Sequence, residues 1–304
     1  MKLATQTPIK SRKIGKNVWR KDISGWMIMI PSLVLFAFFV WVPILQSLKL
    51  SFYSTQGFNP VAFVGFKNYI NVFQDPVFMK ALSNTFVYIF WSLVVGFLVP
   101  IIMAILLNEV VYFKSLFRVG MYFPNVVPGV ATVMMWSLIM TPGGNGILNV
   151  FLSKFGVEPH KWLEDPKWTI LLIVITMTWK GAGSTALVYL ARLQGLNQDH
   201  YEAAAMDGAG IWQRIFYITI PGLFSTCKTL FILQIIAVFQ VLYEPMVMTG
   251  GGPNNASISL MQLNYKYAFQ DMKIAQATAL SVIIAIILIA LTCVYNLLNR
   301  NSEE

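Results

Sequence analysis

The stretch Ala81-Leu-Ser-Asn-Thr-Phe-Val-Tyr-Ile-Phe-Trp-Ser-Leu-Val-Val-Gly-Phe-Leu-Val-Pro-Ile-Ile-Met-Ala-Ile-Leu-Leu-Asn108 contains no charged side chain. About 20 predominantly apolar residues suffice for a helix to cross a bilayer, so this run spans with residues to spare. Its apolar residues do not alternate with polar ones, as the strands of a membrane barrel require. Three more charge-free runs lie at Ile23–Leu48, Val119–Ser153 and Ile274–Asn299. The run from Val119 contains the turn Thr141-Pro-Gly-Gly-Asn-Gly146, which ends its span near Met140. Trp168–Ala191 is apolar apart from Lys180, and Gly222–Pro245 apart from Lys228 and Glu244. The reading is an all-α integral membrane protein with six transmembrane helices over residues 25–299, a basic tail over 1–24 and a short tail over 300–304.

Composition agrees. Of 304 residues, 57% are hydrophobic and 12% charged, against about 45–50% and about 25% in soluble domains. That leaves too little polar side chain to cover a soluble surface, and the hydrophobicity excludes disorder. The two cysteines, Cys227 and Cys293, read as small core residues in or beside spans rather than as a disulfide framework.

Orientation follows from Lys and Arg. With the amino end inside, the segments 1–24, 108–118, 191–221 and 299–304 carry 12 Lys/Arg in 72 residues, against 8 in 88 for the outer loops. The positive-inside bias then puts both termini in the cytoplasm. The amino tail dominates, with Lys2, Lys10, Arg12, Lys13, Lys16, Arg20 and Lys21, and supplies most of the net charge of +9. It reads as a topology signal near acidic lipid, not as a nucleic-acid site. The first span is far longer than the 7–15 apolar residues of a cleaved signal peptide and no A-x-A site follows it.

Motifs for chemistry are missing. There is no G-x-x-x-x-G-K-[ST], so ATP has no P-loop here, and no G-x-S-x-G. His160 and His200 fall on opposite sides of the membrane and lack metal partners at helical spacing. The chain reads as neither an enzyme nor a cofactor protein.

The informative loop joins the fourth and fifth spans, residues 197–221. Asn197 can cap a helix with acidic Asp199 and Glu202 near its start, where the helix dipole favours them. Gly208 and Gly210 stop that helix. A second helix follows, with Ile211, Trp212, Ile215 and Phe216 apolar, and Pro221 marks the entry to the next span. On these residues alone the loop also reads as an interfacial helix anchored by Trp212 and Tyr217.

Glu202-Ala203-Ala204, then Asp207-Gly208, then Ile218-Thr-Ile220-Pro221 resembles the "EAA" loop of binding-protein-dependent ABC importer permeases. The family pattern is E-A-A-x-x-x-G, nine residues, then I-x-L-P. Only Ile220, in place of leucine, departs from it. Other segments resemble the sugar-import branch, the maltose-type and glycerol-phosphate-type permeases. They are Phe63-Val-Gly-Phe-Lys-Asn-Tyr69, Asp75-Pro-Val-Phe78, Asn84-Thr85, Phe123-Pro-Asn125, Trp136, Gly146-Ile-Leu-Asn149 and Thr249-Gly-Gly-Gly-Pro253.

The resemblance implies the type I ABC importer permease fold and a carbohydrate substrate. It implies that 197–221 is a coupling loop docking on a separate cytoplasmic P-loop ATPase dimer, which alone uses ATP. Tyr201, Glu202, Ala203, Ala204, Asp207, Gly208 and Pro221 would carry that contact. It further implies a second permease, usually non-identical, and an extracytoplasmic substrate-binding protein met by Thr249–Pro253 and the 48–80 loop. The setting is a bacterial cytoplasmic membrane. A stand-alone secondary transporter or channel is the alternative, but the spans hold few acidic residues and no obvious repeat.

A translocation path needs polar groups facing a cavity. Candidates are Asn125, Lys180 and Ser184, with Gln234, Gln240, Tyr243 and Glu244 in the fifth span. Gln240 and Glu244, four apart on a helix, would share one face. Pro124 and Pro128 around Asn125 would break the third helix at membrane depth, and Lys180 would pair with Glu244 or with an anionic substrate group. Trp179 and Phe239 suit pyranose faces. Lys228 reads as snorkelling to the interface.

Overall fold

Inside lipid no water bonds the backbone, so a spanning segment must satisfy its own N–H and C=O groups. The apolar runs therefore appear as helices. The structure, a computed structural model, describes residues 16–109 and 112–300. Lys2, Lys10, Arg12 and Lys13 of the basic tail, and residues 301–304, lie outside the described residues.

Helix α1 starts at Lys16, inside the segment read as a tail, and runs to residue 50. A small antiparallel hairpin follows, β1 (Tyr53–Gln56) and β2 (Asn59–Phe63), in an otherwise helical chain. Next come the short α2 (Lys67–Gln74) and the long α3 (Pro76–Glu109). At 34 residues α3 is about 51 Å long, well beyond the roughly 30 Å hydrocarbon thickness.

The run from Val119 is not one straight span. It forms α4 (Lys114–Val126) and α5 (Gly129–Ile139), bent by 93° at the break. Pro124 and Pro128 flank that bend, as their missing N–H groups require. After α6 (Ile147–Ser153) come α7 (Thr169–Gln194), α8 (Gln198–Met206) and α9 (residues 211–239). The chain ends with α10 (Tyr243–Met248), α11 (Leu260–Tyr265) and α12 (Ile274–Arg300). Five stretches among the described residues are long and apolar enough to cross a membrane, and the bent pair makes a sixth.

Three helices carry a π-helical turn just before a proline. The turns are Ala37–Trp41, Ser92–Phe97 and Ile215–Thr219, and the prolines are Pro43, Pro100 and Pro221. A proline clashes with the carbonyl four residues earlier, and widening the preceding turn relieves the clash without ending the helix.

Helix α7 is the centre of the bundle, packing against α3, α4, α5, α9 and α10. Its buried residues run from Thr169 to Leu193. At Gly183 the approach of α4 is so close that a Cβ would run into the Met121 carbonyl. Small residues in α7 (Gly181, Ala182, Gly183, Ala186) permit this contact, as helix packing in lipid demands. By contrast, no side chain of α1 from Gly25 to Leu50 is buried.

Candidate functional site

The 197–221 loop is built almost wholly from local bonds. The Asn197 side chain accepts from the Asp199 N–H at 3.0 Å and caps α8. At the other end the Gly208 N–H donates to Ala205 O (3.1 Å) and the Ala209 N–H to Ala204 O (2.8 Å). That pair of bonds is a Schellman cap, with Gly208 at φ +78° in the left-handed position it needs. The Gln213 side chain then accepts from the Gly210 N–H at 2.7 Å, starting α9. Three further contacts draw the two ends of the loop together. Tyr201 Oη meets Thr219 Oγ1 at 3.1 Å. Arg192 Nε donates to Gly222 O at 3.2 Å. Leu196 lies so close that a Cβ on Gly222 would come within 2.6 Å of it.

Glu202, Ala203, Asp207, Gly208 and Pro221 are exposed, and Tyr201 and Ala204 half-buried. Met206, Trp212, Phe216 and Tyr217 are exposed as well, from 60% to 84%. The α8–α9 corner is thus a rigid, protruding, mixed polar and apolar surface.

The polar groups at membrane depth divide into two sets. Lys180 donates to the Val127 carbonyl at 2.6 Å. It caps the broken end of α4, where a cation complements the helix dipole. Of the two partners expected for Lys180, Glu244 or an anionic substrate group, Glu244 forms no ion pair with it among the described residues. Asn125 is half-buried just before the break, and the Tyr243 ring packs beside Gly129 just after it. Trp179 of α7 meets Trp136 of α5 edge to face, with ring centroids 5.8 Å apart.

The second set lies between α3, α7 and α9. Gln234 Nε2 donates to Ser92 Oγ at 2.5 Å, beside a cavity of about 180 Å³ that Ser92, Gly96, Thr178, Gly181, Thr185 and Gln234 line. Of these residues only Gln234 was a path candidate from the sequence; Ser92, Gly96 and Thr178 were not singled out. Ser184 lies nearby but donates to Gly181 O of its own helix at 2.8 Å.

Gln240 and Glu244 do not share a helix face. α9 ends at Phe239 and α10 begins at Tyr243, so the spacing of four does not act. Gln240 is exposed and Glu244 half-buried.

The 249–259 loop is held from far away. Asn84 Nδ2 donates to Asn255 O (2.8 Å) and Ile258 O (3.0 Å). Tyr88 Oη donates to Ser257 O at 2.9 Å, and the Leu260 N–H donates to Thr85 Oγ1 at 3.2 Å. Other asparagines of the quoted segments do similar work. Asn68 donates to the carbonyls of Ser51 and Tyr53. Asn149 donates to those of Gly143 and His160 and accepts from Trp162 Nε1. Asp75 caps α3 at Val77 and accepts from Tyr267 Oη at 2.5 Å. Burial, and then the Asp75 hydrogen bond and charge, hold the Tyr267 phenol well above its ordinary range.

Comparison with known proteins matches this architecture. The family model described as "Binding-protein-dependent transport system inner membrane component" matches residues 96–304. The probable ABC transporter permease protein YurN of Bacillus subtilis is 32% identical over 278 residues, covering 90% of this chain and 94% of YurN. The lactose transport system permease protein LacF of Rhizobium radiobacter is 32% identical over 277 residues, covering 89% and 92%. A crystal structure of a bacterial alginate ABC transporter, in complex with an alginate pentasaccharide-bound periplasmic protein, contains a chain with the same fold. It superposes with a TM-score of 0.83 at 24% identity, over 95% of this chain and 98% of that one. The chain therefore belongs to the binding-protein-dependent transport system inner membrane components, the permease subunits of ABC transporters.

Proposed function

We propose that this chain forms half of the translocation path of an ATP-driven importer for a carbohydrate, delivered by an extracytoplasmic binding protein. The lactose permease LacF, alike over nearly the whole chain, supports the substrate class. The observation that carries the coupling half of the reading is the 197–221 loop, a capped helix held rigidly on the root of α9 and exposed on its outer side. Glu202 offers a carboxylate to a cation on the ATPase. Ala203 and Ala204 keep α8 slim enough to enter a cleft, and Gly208 turns the chain back toward α9.

Both termini and the 197–221 loop then face the cytoplasm, in keeping with the excess of Lys and Arg there. The importer comprises this chain, a second and different permease, an ATPase dimer and the binding protein, set in lipid. Residues 25–299 form the transmembrane domain between two short cytoplasmic tails, and ATP is used only by the partner.

Along the path, Gln234 and Thr178 present amide and hydroxyl groups that match sugar hydroxyls, with Ser184 nearby. Trp179 offers a face for a pyranose ring. Lys180, with one donor on Val127, keeps two for a ligand. Asn125, Tyr243 and Glu244 surround the break in the third span, and Gln240 lies at the exposed end of α9.

The test is purification of the tagged chain from its native membranes in mild detergent, with every co-eluting polypeptide identified by mass. A P-loop ATPase with a second permease, and ATP hydrolysis raised by a sugar-loaded binding protein, is the expected result. A homo-oligomer without an ATPase, reproduced after crosslinking, overturns the reading.

A further inference from the structure

Arg214 stands near the start of α9, behind the exposed face of α8. Its Nε is sealed from solvent and bonded to nothing. The guanidinium enters no ion pair among the described residues. The nearest acidic residues in sequence, Glu202 and Asp207, point outward and leave it unpaired. A guanidinium keeps its charge in proteins. Its partial burial is therefore an open cost until an anion arrives.

Space for that anion exists. Arg214 lines a cavity of about 210 Å³ between α8 and the root of α9, with Ala204, Ala209, Gln213, Tyr217 and Ile218. Two alanines leave room on one side. The cavity sits at the amino end of α9, where the helix dipole also favours negative charge.

The charges nearby select the source. Asp199 and Glu202 on α8, and Asp207 just after it, are all exposed on this corner. They repel an anionic lipid surface. A protein surface can instead place a cation against Glu202 and an anion against Arg214 at once. Met206, 84% exposed on the same corner, is the apolar group such a surface would cover.

We infer that the cavity behind α8 receives an aspartate or glutamate side chain of the partner ATPase, held by the Arg214 guanidinium. The inference rests on the reading of 197–221 as the ATPase-docking loop. It makes the contact two-pronged, with opposite signs at its two points. The fork geometry of arginine suits a carboxylate held through two N–H groups.

The experiment uses the whole importer, purified through a tag on this chain, from cells carrying Arg214→Glu, Arg214→Gln or the unaltered chain. ATPase recovered per tagged chain should fall about tenfold or more for Arg214→Glu, with a smaller loss for Arg214→Gln, while the second permease stays bound. Suppressors restoring uptake to Arg214→Glu should change an acidic residue of the ATPase to a basic or neutral one. Wild-type recovery of ATPase and normal uptake in Arg214→Glu overturns the inference and leaves the docking reading intact. Loss of co-purified anionic phospholipid with the ATPase retained overturns it in favour of a headgroup. Loss of the second permease from Arg214→Gln assigns Arg214 to the fold instead. Absence of any ATPase from the unaltered chain sinks the docking reading itself.

Discussion

Two loops, 197–221 and the shorter 249–259, are held in different ways. The first is closed by its own neighbours. The Asn197 and Gln213 caps and the Gly208 turn each join groups two to five residues apart. The second is fastened by Asn84, Thr85 and Tyr88 of α3, across separations of 169 to 175 residues. On the proposed ATPase-docking role, the difference follows mechanical need. A loop that transmits force from another protein must be stiff by itself and open on its outer side. A loop with no such duty can be fastened to the bundle, and its loss then damages the bundle. The first loop should therefore fail in transport with the fold intact, and the second in the fold itself.

The largest effect should come from Asn84→Leu. It strands the buried Ile258 carbonyl and takes the donor from the part-buried Asn255 carbonyl. At about 1–3 kcal/mol for each unsatisfied group, the loss is comparable to much of a domain's stability. Detergent-extractable, monodisperse chain should almost vanish, as size-exclusion fluorescence of a tagged fusion would register. A well-folded Asn84→Leu chain breaks the comparison. Gly208→Arg should do the reverse. A left-handed non-glycine residue costs about 1–2 kcal/mol, too little to unfold the chain, but the arginine crowds the docking face. Uptake should be lost at normal membrane levels, and Gly208→Asn, which tolerates that conformation, should keep most of it. Glu202→Lys comes next. The backbone is untouched and only the sign of one contact changes, so uptake should drop about tenfold or more while the chain inserts normally. Normal transport in both Gly208→Arg and Glu202→Lys would remove the coupling role from this loop.

The same contrast explains what could be read in advance. The membrane class, the number of apolar runs and the shape of 197–221 depend on composition and near neighbours, and they were legible in the sequence. So was the break near Asn125, because Pro124 and Pro128 act locally. The partners of Lys180, Asn84 and Gln234 were not. Each bond reaches 53 or more residues along the chain, and spacing says nothing about such pairs. The shared face assigned to Gln240 and Glu244 failed for a related reason. It assumed an unbroken helix, whereas the chain leaves the helix at Gln240 and re-enters at Tyr243. Even the quoted asparagines announced only that they mattered. That Asn68, Asn84 and Asn149 satisfy loop carbonyls was visible only in three dimensions.

Gln240 tests the smallest effect and the finest distinction. Its side chain makes no hydrogen bond among the described residues, lies exposed at the end of α9 and supports neither loop. Gln240→Ala should therefore leave both the fold and ATPase recovery unchanged. If the side chain lines the path, substrate preference should shift, read as the ratio of uptake rates for two sugars of different size. Truncating a group that bonds a substrate hydroxyl changes such a ratio by about tenfold for each 1.4 kcal/mol lost. An unchanged ratio with unchanged rates removes Gln240 from the path. The candidates are then the groups that α7 and α9 turn inward, Gln234 and Lys180, whose partners already lie on the walls of the pocket and on the broken helix.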